Sequence, residues 1–178
     1  MKKLSLKELN RVNVEVFKSQ PKAPIVLVLD NVRSGLNVGS AFRTSDAFAL
    51  EKIYLCGITS KPPHREILKT AIGATESMDW VYFDNTLEAV EKLKKDGFKV
   101  IAVEQARESC SLQEVENQTF TKTALVFGNE VSGVKDEVMK EVDACVEVPQ
   151  FGTKHSLNIS VCVGVVVWEF FRYWKYKN

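Results

Sequence analysis

"VPQFGTKHSLNISVCVGVVVWEFF", residues 148–171, changes character halfway along. From Val161 to Trp168 almost every side chain is apolar, while Lys154, His155, Ser156, Asn158 and Ser160 crowd the stretch just before it. The five valines favour a strand by propensity. The length, about 17 residues from Leu157 to Tyr173, favours a helix. A helix apolar nearly all round must be buried on every side. A chain of 178 residues has little material to cover it, and a second copy would supply what is missing.

Working outward, short apolar runs recur, each closed by glycine or a polar residue. They are "IVLVLD" (25–30), "KIYLCG" (52–57), "DWVYF" (79–83), "FKVIAVE" (98–104), "TALVF" (123–127) and "ACVEV" (144–148). Runs of this length without alternation predict strands buried on both faces. Helical patterns separate them. One is predicted from about Val38 to Leu50, one through "REILKTA", one over 86–97 with Leu87, Val90 and Leu93 inward and Gly97 closing it, and one over 134–142. The alternation predicts an α/β domain with a mostly parallel sheet flanked by helices. Residues 24–178 form one domain with no internal repeat. Residues 1–23 form a short arm in which the capping-box spacing of Ser5-Leu6-Lys7-Glu8 predicts a helix to about Phe17.

Composition narrows the function classes only partly. The net charge is +1, which neither demands nor excludes an anionic partner. The distribution says more: residues 1–22 carry six basic and two acidic side chains, a net of +4. That is an RNA-binding footprint or a solvated helix face. Cys56, Cys110, Cys145 and Cys162 form no C-x-x-C pair, and His64 and His155 add no zinc spacing, so no metal is expected. Several cysteines fall in apolar runs and read as reduced core thiols. The first residues lack the apolar run of a signal peptide and the longest apolar run is too short to cross a bilayer, so the expectation is a cytoplasmic protein with no membrane partner.

Ligands of open α/β sheets gather at the carboxyl ends of strands, and three unusual loops are predicted there. In "DNVRSGLNVGSAFRTSD" (30–46), Gly35 and Gly39 are expected to let the backbone turn tightly. Arg43 offers a planar fork for a phosphate and Asn37 an amide to fix an oxygen or a side chain. An Asn37 helix cap and a surface ion pair for Arg43 fit the spacing equally well. "LVFGNEVSGVKDE" (125–137) nearly matches a phosphate loop, but Lys135 comes one place late and no Ser or Thr follows it, which rules out that chemistry. There Gly128 is expected to admit a flat ligand close to the backbone, with the Glu130 carboxylate nearby. The third loop is the opening stretch, where Ser156 and Asn158 flank Leu157. A Ser–His hydrolase is disfavoured, because adjacent residues rarely face each other and no G-x-S-x-G elbow exists.

Together and in this order, "NVGSAFRTSDAF", "LVFGNEVSGV" and "VEVPQFGTKHSLNISVCVGVVVWE" resemble the three motifs of the SPOUT RNA methyltransferases, in their SpoU/TrmH branch. The likeness covers about residues 24–172. It implies a SPOUT fold whose C-terminal segment threads a preceding loop as a deep trefoil knot, a rare exception to unknotted chains. It implies S-adenosyl-L-methionine as cofactor, a homodimer with the last helix at its seam, and methyl transfer to a ribose 2′-OH of structured RNA, tRNA or rRNA. A binding protein that keeps the fold without catalysis is the alternative. By the same resemblance, Asn37, Arg43, Glu130, Ser156 and Asn158 are the catalytic set. Val103, Gly128, Val148 and Leu157 contact the cofactor, and Lys154 and His155 are candidates for RNA phosphate. An arginine is effectively always protonated, so the role implied for Arg43 is stabilising the developing alkoxide and clamping a phosphate.

Overall fold

The computed structural model describes residues 1–5, 7–117 and 122–177. Its elements are α1 (Val14–Ser19), β1 (Ala23–Asp30), α2 (Gly35–Ala47), β2 (Leu50–Cys56), α3 (Arg65–Ala71), α4 (Ala74–Ser77), β3 (Trp80–Phe83), α5 (Thr86–Lys95), β4 (Lys99–Val103), β5 (Cys110–Ser111), a 3-10 turn (Leu112–Asn117), β6 (Thr123–Phe127), α6 (Asp136–Met139), β7 (Ala144–Glu147) and α7 (Ile159–Lys177). The strands form one sheet in the order β3-β2-β1-β6-β4-β7-β5. Every pairing is parallel. The expected α/β architecture is therefore what the chain adopts.

Strand alternation divides the core into two layers. Ile25, Leu27 and Leu29 of β1 face a layer with Phe42, Ile67, Val163, Val167 and Phe170. Val26 and Val28 face the opposite layer with Val90, Leu93, Val134 and Val138. Thus α2, α3 and α7 cover one side of the sheet and α5 and α6 the other. Both sides being covered explains why the strands read as unbroken apolar runs.

The last segment is a helix. Tertiary packing overrides the strand propensity of its valines. Val163, Val166, Val167 and Phe170 are buried against the sheet. Val161, Val165 and Trp168, at helical spacing, keep 53, 40 and 45% of their surface exposed. The chain alone buries one face of α7 and leaves an apolar stripe on another.

Several local expectations are corrected. Gly35 and Gly39 do not turn the chain; both lie inside α2, which Ser34 caps by accepting from the Asn37 N–H at 3.3 Å. Their small size serves helix packing. A Cβ on Gly39 would stand 2.2 Å from Thr70 Oγ1 and 2.3 Å from the Ile67 carbonyl oxygen. The capping-box bonds between Ser5 and Glu8 do form, at 2.6–3.4 Å. Leu6 within that box lies outside the described residues. The helix itself starts only at Val14, capped by Asn13. The helix predicted over 134–142 shrinks to Asp136–Met139; just before it, the Val134 N–H donates to Glu104 and the Lys135 N–H to Asp30.

One strained residue stands out. Ile72 ends α3 in the left-handed region, at φ 49° and ψ 48°. For a β-branched side chain this conformation costs of order 1–3 kcal/mol. Gly73, for which such a φ is free of strain, is the next residue.

Candidate active site

At the carboxyl edge of the sheet, the ends of β4, β6 and β7 and the start of α7 enclose a cavity of about 790 Å³. Val103, Phe127, Val148, Leu157 and Ile159 supply apolar wall. Glu104, Glu130, Asp136 and Glu147 supply carboxylates, and no lysine or arginine is among the lining residues. Positive charge is therefore favoured inside. The segment 149–158 closes the cavity and is tied to the loop after β4, where the Gln105 side-chain amide donates to the His155 carbonyl at 2.7 Å.

Two loops meet at one carboxylate, and a third segment joins them through Asn37. Glu130 Oε2 accepts from the Arg33 N–H at 3.0 Å, and Oε1 accepts from the Ser34 N–H at 3.0 Å and from Asn37 Nδ2 at 3.1 Å. Asn158 Nδ2 then donates to Asn37 Oδ1 at 3.4 Å, and Asn158 Oδ1 accepts from the Ser160 N–H and hydroxyl at 2.9 and 2.6 Å. Burial opposes the Glu130 charge. The hydrogen bonds from the Arg33, Glu130 and Ser34 N–H groups and the Asn37 amide outweigh it and hold the carboxyl below its usual 4.5. An ionised Glu130 thus joins the post-β1 loop to the post-β6 loop, and Asn37 passes the link to the head of α7.

The post-β6 loop is built on its own backbone. Asn129 and Gly133 exchange paired N–H to carbonyl bonds at 2.9 Å. The Asn129 side chain donates to the Asn31 carbonyl at 2.7 Å and accepts from the Val131 N–H at 2.9 Å. The loop's packing gives Gly128 a role in the fold as well. A Cβ there would lie 2.0 Å from the Gly133 carbonyl carbon and 2.1 Å from the Val134 nitrogen. The chain's own backbone makes a close approach that already requires glycine at 128, which also lines the cavity.

Of the residues singled out from sequence, Val103, Gly128, Glu130, Val148, Ser156, Leu157 and Asn158 line the cavity, as does His155. Asn37 reaches it only through Glu130 and Asn158. Arg43 does not line it. It lies exposed on α2 and forms no ion pair among the described residues. Lys154 is exposed on the closing segment. Sequence reasoning passed over Glu104, Gln105 and Asn129. The available signal was position: Glu104 ends a predicted strand and Gln105 directly follows it, at the edge where ligands gather.

All four cysteines are free thiols. Burial pushes Cys56 up to about 12 and Cys145 and Cys162 up to about 11, so none of these three is a ready nucleophile. Among the described residues no group of three or more His, Cys, Asp or Glu side chains could hold a metal ion. Among the described residues no helix is long and apolar enough to cross a membrane.

Known proteins resemble this chain in sequence and in fold. A tRNA (guanosine(18)-2'-O)-methyltransferase of Aquifex aeolicus is 34% identical over 92% of this chain and 75% of its own length. A 23S rRNA (guanosine-2'-O-)-methyltransferase of Neisseria meningitidis is 29% identical over 95% of this chain and 67% of its own. The crystal structure of an AdoMet-bound rRNA methyltransferase from Sinorhizobium meliloti superimposes with a TM-score of 0.78 at 25% identity, over 90% of this chain and 59% of that one. This chain thus spans between about 60% and three quarters of these three proteins' lengths. The pattern of the SpoU rRNA Methylase family matches residues 24–168, from the first strand to the middle of α7; the chain belongs to that family.

Proposed function

We propose that this chain transfers the methyl group of S-adenosyl-L-methionine to a ribose 2′-OH of structured RNA, tRNA or rRNA, as a cytoplasmic homodimer. The observation that carries the reading is the Glu130–Asn37–Asn158 network at the lip of the cavity, because it draws all three sequence motifs to one point. The named activities of the Aquifex and Neisseria relatives support it. The residues present suit the cofactor: the volume fits a nucleoside-sized ligand, apolar wall is available for a purine, and the carboxylates Glu104, Asp136 and Glu147 suit a cationic sulfonium and ammonium. When bound, the cofactor supplies an electrophilic methyl group.

The protein's task is then positioning, since an in-line displacement needs oxygen, carbon and sulfur aligned. Val103, Val148 and Leu157 hold the cofactor. Glu130 fixes the post-β1 loop, so that Asn37 and Asn158 present amides to the ribose from fixed places, with Ser156 beside them. Arg43 stabilises the developing alkoxide and clamps the neighbouring phosphate. It is exposed, without an ion pair among the described residues and outside its own chain's cavity, so in this reading it serves the cavity of the partner subunit. The apolar stripe Val161, Val165 and Trp168 is the dimer seam. Residues 24–178 form the knotted methyltransferase domain, and residues 1–23 are a basic arm added to it.

The test is methyl transfer from labelled cofactor to total RNA, with 2′-O-methylation mapped in cells with and without the protein. One nucleotide that loses its mark is expected. Arg43→Ala should keep cofactor affinity and lose most transfer, and Arg43→Lys should not restore it. Cofactor binding without transfer to any RNA would instead make the chain a binding module.

A further inference from the structure

We propose that the outer face of α3 is a docking surface for the RNA strand flanking the methylated nucleotide, with Arg65 and Lys69 on successive phosphates and Leu68 and Ile72 against an unstacked base. This rests on the function proposed above and says where the substrate lies. Arg65, Leu68, Lys69 and Ile72 are spaced i, i+3, i+4 and i+7, which puts them along one side of the helix and its cap. Leu68 and Ile72 are 48 and 67% exposed. Arg65 and Lys69 are exposed between them and form no ion pair among the described residues. The opposite side of α3 carries Ile67 and Ala71, both buried.

The helix's one carboxylate is turned away from this face. Glu66 Cβ and Oε2 stand 2.9 and 3.0 Å from where a Cβ on Gly35 would be, at the head of α2. What remains outward is two cations interleaved with two branched apolar chains. A second copy of this chain is a poor occupant, because a two-fold contact would set like charges against each other. RNA fits both features. Cations one helical turn apart, about 6 Å between Cβ atoms, suit neighbouring phosphates of one strand, and aliphatic side chains wedge against splayed bases.

Ile72 adds an independent observation. It holds a left-handed conformation while exposing an apolar side chain, beside a glycine that adopts such a φ without strain. The left-handed turn ends α3, but ending a helix does not call for an exposed β-branched side chain there, and strained residues of this kind cluster at functional sites. The position is also coupled to the active site. Thr70 Oγ1 donates to the Leu36 carbonyl at 2.8 Å, and Leu36 adjoins Asn37. A strand held on α3 therefore lies beside the residues that meet the ribose.

The experiment compares wild type, the double variant Arg65→Ala/Lys69→Ala and Ile72→Gly for binding to unfractionated tRNA and rRNA across a salt series. Thermal unfolding, cofactor affinity and sedimentation are measured alongside. The double variant should bind about tenfold more weakly near physiological salt and lose roughly 1.4 from the log–log salt slope, two phosphate contacts' worth on a single strand. Ile72→Gly should unfold at the same or a higher temperature, since the strain is relieved, yet bind RNA several-fold more weakly. Wild-type affinity in both variants overturns the surface while leaving the methyltransferase reading intact. A double variant that becomes monomeric assigns the face to a second copy and overturns it equally. A wild type that binds neither RNA sinks the parent reading, and this one with it.

Discussion

Two carboxylates stand at the carboxyl edge of the sheet and tie loops together, one hidden and one open to solvent. Asp30, the last residue of β1, is fully buried. It accepts from Asn31 Nδ2 at 2.7 Å, from the Thr86 hydroxyl at 2.5 Å and from the Lys135 N–H at 3.2 Å. Glu130 is exposed and gathers the Arg33 and Ser34 N–H groups and Asn37. Both use carboxyl oxygens to satisfy several loop donors at once. Their surroundings assign different consequences. Water cannot replace Asp30, so its bonds belong to the fold. Water can replace Glu130, so its bonds are dispensable for folding and matter where geometry matters, at the cavity.

The largest expected effect lies on the backbone between these two nodes. Gly128→Ala drives a methyl group into the Gly133–Val134 backbone at about 2 Å, which no side-chain rotation relieves. The loop that carries Glu130 must move, and Lys135, which donates to Asp30, follows it. We expect a loss above about 4 kcal/mol, the exceptional range for a point change, read as insoluble protein or a collapsed denaturation midpoint. A soluble variant of normal stability would break the link drawn between the two nodes. Next is Asp30→Ala, which leaves three donors without their acceptor, the buried Thr86 hydroxyl among them. We expect about 3 kcal/mol from chemical denaturation, with the residual folded protein still binding cofactor. A loss below about 1 kcal/mol would place Asp30 in the same class as Glu130.

How much of this was legible beforehand differs between the two nodes. The strands were readable because both sheet faces are covered, and "TALVF" and "REILKTA" match their elements residue for residue. The two-residue strand β5 and the four-residue helix α4 are too short to carry a period. The amino-terminal capping box was read correctly as a local bond and wrongly as a helix. Leu4, Leu9 and Val12 there are exposed, so nothing offsets the cost of nucleation. Glu130 was found through a resemblance between motifs, whereas its bonding to Arg33 and Ser34 spans nearly a hundred residues and has no trace in local pattern. Gly128 carried a true signal, that something comes close, without saying what.

Glu130→Gln probes the open node chemically. The amide keeps the size but loses the charge, and it can no longer accept three donors through two ionised oxygens. Stability should change by less than about 1 kcal/mol, as for most exposed positions. Turnover should fall by about tenfold or more, because small misplacements at a positioning site are amplified. If stability falls and turnover holds, the division between a folding node and a functional node is wrong.

The smallest effect is a pH dependence, and its sign follows from the direction of the shift. The Glu130 carboxyl is held below its usual 4.5 in the folded protein. A group whose folded pKa is depressed adds stability above its unfolded pKa, and that stability disappears as pH falls through the folded value. The contribution should therefore be constant from neutral pH down to about 4.5 and vanish below it. It should be slight, since an exposed charge is screened by solvent. Wild type and Glu130→Gln melting temperatures, measured from pH 7 to pH 3, should differ by a small constant amount above 4.5 and converge below it. Curves that stay apart at pH 3 would show that the variant disturbs packing and not a charge. Curves that coincide throughout would leave Glu130 without any hold on the post-β1 loop in solution, and Asn37 would then need another anchor to face the ribose.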